Sequence, residues 1–485
     1  MSYLWNRITQ MSLEEQRLLQ NKRVAYFFQH ELPYSPFYRE LFKKNNIDFK
    51  SIRTVDDLQR VPFTTKADIA PTADDKGKPR TFMLQPDEHL IKKYAPISLL
   101  AKVIWGKLTG QDVKRKLEKL YKPIHLHFTT GRSALPTAFG YTESDIEILK
   151  EAGERMFGVA HVSRDKVAIN AFPYAPHLAF WQAYNALVQL GITSLQTGGG
   201  KVMGTQKIMD ALEGMKAGLF VCIPGYGYHL LREAVKQKRD FSGLETFITG
   251  GERASEGMRA KVKALLAQLG APNVRFLSTY AFTEAKTAWI QCHEKSGYHL
   301  YPDLGYFEVI DTDGKRVPEG QPGELVYTSF GWRGSVVVRY RTGDMTTGID
   351  YSPCQYCGRT VPRIGIDLQR TTEIKEFHLT KVKGELVNLN DFYPLLSGLP
   401  EIEEWQVEIS KKDNDPHGLD EITIYLAPKA GADFTQLEHT VNKLVHNQIF
   451  VSAVIRQKPL DELLRMLGME TELKEKRIVD VRPKD

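Results

Sequence analysis

The sequence has few cysteines, no long apolar run and no large excess of either charge. Four cysteines in 485 residues are too few for a fold built on disulfides. No stretch reaches the roughly 18 apolar residues that a membrane helix needs, and the first residues lack the basic and then apolar pattern of a secretory signal. The formal charge of +6 comes without a dense basic arm, which argues against nucleic acid as a partner and suits an anionic small molecule. We therefore expect a cytoplasmic protein.

The pattern of apolar residues predicts an α/β protein with more than one domain. Short apolar runs alternate with helical segments from residue 123 to about 270, which is typical of mostly parallel sheets with flanking helices. Residues 306–349 predict strands joined by turns, as in a small barrel-like part. Residues 404–448 predict two strands and a helix. We expect a large N-terminal domain, 1–367, and a smaller, mobile α+β domain, 368–485.

One loop has the composition of a phosphate-binding turn. Residues 127–137 read HFTTGRSALPT, between an apolar-alternating strand and a helix that begins near Thr142 or Ser144. Hydroxyls and a glycine on such a turn can surround a triphosphate with backbone N–H groups and side-chain donors. Many loops rich in these residues are ordinary turns, so the segment alone does not decide between the two. The candidate contacts are Thr129, Thr130, Gly131 and Ser133.

Three further motifs follow this loop in a fixed order. Residues 250–253 read GGER, residues 279–284 read TYAFTE, and residues 339–344 read RYRTGD. Together with the loop, they resemble the motifs of adenylate-forming enzymes, and the chain from about residue 10 onward resembles the phenylacetate–CoA ligase branch most. The resemblance implies binding of ATP or AMP. The implied contacts are Tyr280 with adenine, Gly251 and Glu252 in the wall beside it, Thr283 with the α-phosphate, Glu284 with Mg²⁺ and Asp344 with both ribose hydroxyls.

The phosphate loop departs from the family pattern. Arg132, Ser133 and Ala134 stand where the family carries Thr, Thr and Gly. A guanidinium can hold phosphate oxygens with two hydrogen bonds, so we expect Arg132 to contact the β- or γ-phosphate. The change also leaves open a weakened activity, or a nucleotide-binding protein that has lost catalysis.

A Cys-x₂-Cys turn at Cys354 and Cys357 follows Cys292 and His299, which are separated by six residues. Three thiolates and one imidazole form a closed tetrahedral set, the type that holds structural zinc. Redox use of the cysteine pair is the alternative. Members of the resembled branch carry similar pairs, which favours zinc in the region 292–357. The fourth cysteine, Cys222, is in an apolar run and is expected in the core.

The C-terminal tail supplies the cation that the resemblance requires. A substrate carboxylate must approach an anionic α-phosphate, so a positive group has to bridge them. Alignment of residues 471–480, TELKEKRIVD, selects Lys474, with Lys476 as the alternative. The resemblance also implies that Arg370 reaches the ribose and that Gly384 lines the coenzyme A channel after the C-terminal domain rotates.

Aromatic and small residues mark the expected acyl pocket, and the acid is therefore expected to be aromatic or apolar. The resemblance implies an AMP-forming acid–CoA ligase that makes an acyl-AMP and pyrophosphate and then a coenzyme A thioester. An amine or a carrier protein is the alternative acceptor, and a homodimer is left open. The pocket residues are Tyr174, His177, Pro224 and Tyr226.

Residues 91–123 form a probable insertion that is both basic and amphipathic. The part 97–108 is apolar with spaced lysines, and a cluster of lysines and one arginine follows. Such a segment suits an anionic membrane surface, a lid over the substrate channel, a contact for an acidic carrier, or a plain pair of surface helices. The sequence leaves these four alternatives open and favours the last.

Overall fold

The structure of the protein is a computed structural model. It describes residues 3–110, 112–129, 136–370, 380–382, 385–387, 389–411, 420–449, 451–468 and 475–482. No helix in these ranges is both long and apolar enough to span a membrane. The chain forms two compact units, Met1–Gln196 with Leu277–Leu368, and Thr197–Phe276 with Gln369–Asp485. The expected domain division after residue 367 stays a prediction, and the second unit joins residues 197–276 to the C-terminal part.

Short helices with capped starts open the first unit. In α2, Ser12 and Glu15 form a capping box, in which the Ser12 N–H donates to Glu15 Oε2 at 2.8 Å. Ser35 caps α3, whose first residue is Pro36. The helical pattern predicted between Leu13 and Asn46 is confirmed. The helices are α1 (Tyr3–Ile8), α2 (Leu13–His30), α3 (Pro36–Lys44), α4 (Lys66–Ile69), α5 (Glu88–Tyr94), α6 (Ile97–Leu108) and α7 (Val113–Tyr121), with 3₁₀ turns at Leu32–Tyr34, Phe49–Ser51, Asp57–Arg60 and Lys78–Phe82.

Alternating strands and helices follow up to residue 196. Strands β1 and β2 form an antiparallel hairpin around the candidate phosphate loop, and β3 and β4 pair in parallel. Thr142 caps the next helix by accepting the N–H of Asp145 at 3.1 Å, as the sequence predicted. The elements are β1 (Pro123–Phe128), β2 (Ala138–Thr142), α8 (Glu143–Val159), β3 (Ala168–Asn170), α9 (Leu178–Leu190) and β4 (Ser194–Gln196).

The second unit begins with another βαβ-like segment. Strands β5 and β6 are fully buried and pair in parallel, which explains why both read as continuous apolar runs. Cys222, at the end of β5, is a buried core residue. The elements are α10 (Gly200–Met203), α11 (Thr205–Gly214), β5 (Leu219–Cys222), α12 (Pro224–Lys236), β6 (Thr246–Thr249) and α13 (Glu256–Gln268).

The chain then forms mainly antiparallel sheets. Strand β7 pairs with β8, β11 lies between β10 and β12, and β14 lies between β13 and β9. The elements are β7 (Arg275–Phe282), a 3₁₀ turn (Thr283–Ala285), β8 (Thr287–Ile290), β9 (Tyr298–His299), β10 (Gly305–Ile310), β11 (Gly323–Ser329), β12 (Tyr340–Thr346), β13 (Ile349–Asp350) and β14 (Arg363–Ile364).

Within residues 306–349 the sequence predicts a strand at Ser335–Tyr340, and this prediction is wrong, because β12 only begins at Tyr340. The backbone N–H groups of the residues before Tyr340 donate to separate parts of the chain, so they form no continuous hydrogen-bond ladder with one neighbouring strand. The Val336 N–H donates to the carbonyl of Phe82 at 3.1 Å, and the Val338 N–H donates to the hydroxyl of Tyr38 at 2.7 Å. Arg339 has a left-handed backbone, with φ of 45°, which ends any extended run.

The C-terminal part of the second unit is an α+β arrangement. The sheet has the order β20-β19-β18-β21, with its two long central strands antiparallel. One apolar core joins these strands to α15, through residues such as Trp405, Ile424 and Val441. The two predicted strands and the helix are confirmed. The elements are β15 (Gln369–Arg370), β16 (Thr380–Val382), β17 (Glu385–Val387), a 3₁₀ turn (Leu389–Asp391), α14 (Phe392–Ser397), β18 (Ile402–Lys411), β19 (Asp420–Pro428), α15 (Phe434–Ile449), β20 (Ala453–Gln457), α16 (Leu460–Leu467) and β21 (Ile478–Asp480).

Candidate nucleotide site and metal centre

Two of the predicted nucleotide residues meet in the first unit. The Tyr280 hydroxyl, near the end of β7, donates to Asp344 Oδ2 in β12 at 2.8 Å. Both side chains are more than nine-tenths buried, and the Tyr280 ring lies 5.8 Å from the ring of Trp289. A carboxylate in such a place can accept hydrogen bonds from a diol beside an aromatic face. This is the pairing that an adenosine site requires.

The predicted magnesium ligand lies one turn further along the chain. Thr283 and Glu284 form a 3₁₀ turn directly after β7. Glu284 Oε1 accepts a hydrogen bond from the Tyr340 hydroxyl at 2.8 Å. The motifs at 279–284 and 339–344 therefore exchange two tyrosine–carboxylate bonds. Sequence reasoning missed the role of Tyr340, although this residue lies inside a quoted motif, because the bond connects positions 56 residues apart.

A buried lysine beside this turn was also missed. Lys286 is fully buried, and its Nζ lies 2.9 Å from Asp145 Oδ2 at the start of α8. Asp145 also accepts the backbone N–H groups of Arg333 and Gly334, at 2.6 and 2.7 Å. Burial lowers the pKa of Lys286, and the attraction of Asp145 opposes that shift. The pair ties α8 to the turn that carries Glu284, and the capping box at Thr142 was its only signal in the sequence.

The ends of the candidate phosphate loop are closed together. The Thr129 N–H donates to the carbonyl of Thr137 at 3.0 Å, and the Thr137 N–H donates to Thr129 Oγ1 at 3.3 Å. The loop thus leaves and re-enters the β1–β2 hairpin at one point. Its inner residues, and two other predicted site residues, lie outside the described ranges: Thr130, Gly131, Arg132, Ser133, Gly384 and Lys474.

One part of the predicted acyl pocket contacts the start of this loop. His177 Nδ1 lies 2.9 Å from the carbonyl oxygen of Phe128, and the Phe128 N–H donates to the carbonyl of Pro176 at 2.7 Å. Tyr174, three residues before His177, packs its ring against Trp181. Residues 172–177 are far from β1 in the sequence, but these contacts hold them at its carboxyl end, beside Thr129.

A histidine pair lies on the same strand. His125 Nε2 and His127 Nε2 are 2.9 Å apart, and His127 is completely buried. Burial, and then the nearby His125, Lys286 and His177, lower the pKa of His127 to about 3. His127 is therefore neutral at physiological pH, and sequence reasoning did not single it out.

The remaining predicted nucleotide residues lie in the second unit. Gly251 has a φ of 85°, which favours glycine. Glu252 Oε1 accepts the backbone N–H of Glu475 at 3.0 Å, so the C-terminal tail meets the GGER motif next to Lys474. Lys476 is exposed. Arg370 belongs to β15, but its side chain is outside the described part.

Pro224 and Tyr226, the other pocket candidates, begin α12 in the same unit. Gly225 between them leaves room for the tail, because an added Cβ would lie 1.5 Å from Glu475 Oε1. Burial raises the pKa of the Glu475 carboxyl, and the neighbouring Arg477 opposes that shift. The tail residue after Lys474 therefore lies against the turn that was predicted to line the acyl pocket.

The four predicted zinc ligands come together in the first unit. The donor atoms of Cys292, His299, Cys354 and Cys357 all lie within 4.8 Å of one another. Cys292 Sγ is 3.6 Å from Cys354 Sγ, and Cys357 Sγ is 3.3 Å from His299 Nε2. A tetrahedral zinc with ordinary bond lengths separates two sulfurs by about 3.8 Å and a sulfur from a nitrogen by about 3.6 Å. The two measured distances lie within about 0.3 Å of these values.

The local backbone explains how the metal centre forms. The Gly358 N–H donates to the carbonyl of Cys354 at 2.8 Å, which turns the chain so that both thiols point the same way. Gly358 has a φ of 71°, as such a turn requires. Hydrogen bonds with Cys292 and His299 lower the pKa of the Cys357 thiol. All four cysteines of the chain are free thiols, so Cys354 and Cys357 do not form a disulfide with each other.

The fold is of the α/β class, and comparisons with known proteins indicate which α/β enzymes the chain resembles. Residues 147–332 match the family model of the AMP-binding enzymes. The chain is 27% identical over 399 residues to a phenylacetate–coenzyme A ligase of Thermus thermophilus, covering 81% of this chain and 76% of that protein. It is 24% identical over 343 residues to the Escherichia coli phenylacetate–coenzyme A ligase, covering 69% of this chain and 68% of that protein.

The structural comparison agrees. A 2-hydroxyisobutyryl-CoA ligase, solved in its postadenylation state with an acyl-AMP, superposes with a TM-score of 0.75 and 20% identity, over 98% of this chain and 92% of that chain. This likeness establishes the fold. Residues 147–332 thus match the AMP-binding enzymes, and the chain is similar to the phenylacetate–coenzyme A ligases.

Proposed function

We propose that this protein is an AMP-forming acid–CoA ligase. In the first half-reaction the carboxylate of an aromatic or apolar acid attacks the α-phosphorus of ATP, forming acyl-AMP and releasing pyrophosphate. In the second, the thiol of coenzyme A attacks the acyl carbon, forming a thioester and releasing AMP. The observation that carries the proposal is the pair of tyrosine–carboxylate bonds, Tyr280 to Asp344 and Tyr340 to Glu284.

The described side chains suit the nucleotide roles. Tyr280 offers an aromatic face for adenine, and Asp344 accepts from the ribose hydroxyls. Thr283 donates to the α-phosphate. Glu284 offers a hard oxygen ligand for Mg²⁺, which supplies positive charge beside the triphosphate when bound. The Tyr340 hydroxyl orients the Glu284 carboxylate by occupying one of its oxygens.

Two cations complete the proposed chemistry. Lys474 neutralises charge between the substrate carboxylate and the α-phosphate. Arg132 binds the β- or γ-phosphate and stabilises the leaving pyrophosphate. Support for Lys474 comes from the tail alignment and from its neighbour Glu475, whose N–H bonds to Glu252 of the GGER motif. The other loop contacts are Thr129, Thr130, Gly131 and Ser133, with Gly251 beside adenine and Arg370 at the ribose.

The second half-reaction reuses the site after the C-terminal domain moves, with Gly384 lining the coenzyme A channel. Four curated relatives, all phenylacetate–coenzyme A ligases, support coenzyme A as the acceptor rather than an amine or a carrier protein. The residues proposed to contact the acid are Tyr174, His177, Pro224 and Tyr226. An aromatic ring is favoured, since three of these four side chains are aromatic or imidazole rings.

We also propose one structural zinc per chain, bound by Cys292, His299, Cys354 and Cys357. The clustering of three thiols and one imidazole within 4.8 Å of one another supports zinc over a redox-active pair. Reduced thiols of this kind persist in a cytoplasm, which is the location we propose.

A pyrophosphate-release screen tests the function. The protein is incubated with ATP, Mg²⁺ and a panel of aromatic and aliphatic acids, with and without coenzyme A, and both pyrophosphate and AMP are measured. Acid-dependent pyrophosphate release, with AMP turnover raised by coenzyme A, is expected. AMP turnover that is raised by an amine instead identifies a different acceptor. Tight ATP binding without pyrophosphate release for any acid identifies a nucleotide sensor and rejects the ligase.

A further inference from the structure

The net positive charge of this protein is concentrated in one short segment. Residues 91–122, here called the basic segment, contain nine lysines and arginines against two acidic residues. This net charge of +7 exceeds the +6 of the whole chain, so all other residues together carry −1. A surface of one sign on an otherwise balanced protein indicates a specific anionic partner.

An apolar stripe within this segment faces solvent. Ile97, Ala101, Trp105 and Leu108 follow one another at helical spacings of four, four and three along α6, so they share one face of the helix. Ile97, Trp105 and Leu108 are 85%, 67% and 78% exposed, and Ala101 is exposed as well. Surface helices normally turn such a stripe toward the core, and exposed apolar patches mark interaction sites.

Helix α7, which follows α6 in the chain, carries exposed cations and is attached to the first unit. Glu143, the first residue of α8, binds Arg115 Nη2 at 3.1 Å and Lys119 Nζ at 2.7 Å. The Tyr121 ring packs edge-on against Tyr34 at 5.6 Å. These contacts fix α7 on the first unit, and Lys114, Lys116 and Lys122 are exposed as well.

We propose that the basic segment docks this protein on an anionic lipid bilayer. In this arrangement α6 lies in the plane of the membrane surface, its apolar stripe enters the headgroup boundary, and the cations of α7 contact lipid phosphates. Tryptophan is the residue that membrane interfaces favour most, and a continuous apolar stripe beside spread cations matches a fluid surface better than one fixed acidic protein. The inference does not depend on the acid–CoA ligase activity.

Co-sedimentation with vesicles tests the proposal. The full-length protein is mixed with vesicles of phosphatidylcholine alone, or with about one third phosphatidylglycerol, at low and at high salt. Binding to the anionic vesicles alone, weakened by salt, is expected. Each cation near the surface adds about fivefold to the partition, so reversing two with Lys114→Glu and Lys122→Glu lowers it by at least about 30-fold. Lys207→Glu, an exposed lysine of the second unit, is the matched control.

The apolar stripe is tested separately. Ile97→Ser with Trp105→Ser weakens binding, whereas Val188→Ser, at a position that is 53% exposed, does not. Because these positions are exposed, the variants should fold, and their unchanged thermal unfolding confirms it. The proposal is overturned if the native protein fails to bind anionic vesicles at low salt, or if the four substitutions leave binding unchanged. Capture of an acidic protein without any vesicle binding overturns it as well.

Discussion

The metal centre offers the sharpest test, through Cys354→Ser combined with Cys357→Ser. The double substitution removes two of the four donors and leaves only Cys292 and His299. Two remaining ligands cannot hold zinc in a closed site. We expect the zinc content, measured by elemental analysis of the purified protein, to fall from about one per chain to less than about a tenth.

The expected loss of stability follows from the position of the ligands. Cys292 and Cys354 are 62 residues apart, so the metal closes a long loop. Closing a loop of that length restricts the unfolded chain by about 4 kcal/mol. Hydrogen bonds such as those of Thr360 to Thr9 and Met11 remain when the metal leaves. We therefore expect a loss of about 2–4 kcal/mol, or a Tm lower by about 4–8 °C.

The matched control is Cys222→Ala, which removes the buried cysteine of β5 and leaves the four donors intact. This variant should keep its zinc. A chelator should lower the Tm of the native protein and leave that of the double variant unchanged. Native protein that is free of zinc and unaffected by chelators would contradict the assignment. A Cys354–Cys357 disulfide found by thiol titration would favour the redox alternative.

The nucleotide site and its surroundings give three more predictions. Asp344→Asn should weaken ATP binding by roughly 10- to 100-fold in calorimetry, the value of a hydrogen bond to a charged group, while Asp313→Asn in an exposed turn should not; equal affinities would reject the ribose role. Lys474→Ala should abolish acyl-AMP formation and preserve ATP binding, whereas Lys476→Ala should retain activity; the reverse pattern would move the catalytic role to Lys476. His127 has a pKa of about 3 when folded, against about 6.5 when unfolded. The unfolded state alone therefore takes up this proton as the pH falls from about 6.5 toward 3, which lowers the free energy of unfolding by up to about 1.4 kcal/mol per pH unit. His127→Gln should reduce that slope in urea unfolding at pH 7, 6 and 5, and an unchanged slope would mean that His127 is charged when folded.

The sequence was sufficient for features that depend on local order. The cap predicted at Thr142 placed the start of α8 correctly, because a cap and its partner lie within one turn. Buried parallel strands were equally clear as short apolar runs. The meeting of Cys292, His299, Cys354 and Cys357 was predictable as well, since thiols and imidazoles at such spacings have few other uses.

Pairs that form only in three dimensions were not predictable. Lys286 and Asp145 are 141 residues apart, and neither belongs to a motif with a known partner. Arg339 and Arg341 lie inside the RYRTGD motif, yet they pair with Glu308 and Glu324 on neighbouring strands rather than with phosphate. The apolar run at 335–340 also misled, because the backbone N–H groups of that segment bond to separate partners, such as the Phe82 carbonyl and the Tyr38 hydroxyl.

The metal centre and the nucleotide site are connected through one strand. Cys292 comes two residues after the end of β8, and Trp289 of that strand packs against the Tyr280 ring. Strand β8 pairs with β7, with Trp289 opposite Tyr280. The Cys/His cluster thus lies at one end of the strand that packs against Tyr280, while the ion pair of Lys286 and Asp145 lies at the other end, next to Glu284. A closed site with four protein donors has no open position for substrate. If zinc binds there, we therefore expect it to act structurally, by fixing the strand that pairs with β7 at Tyr280.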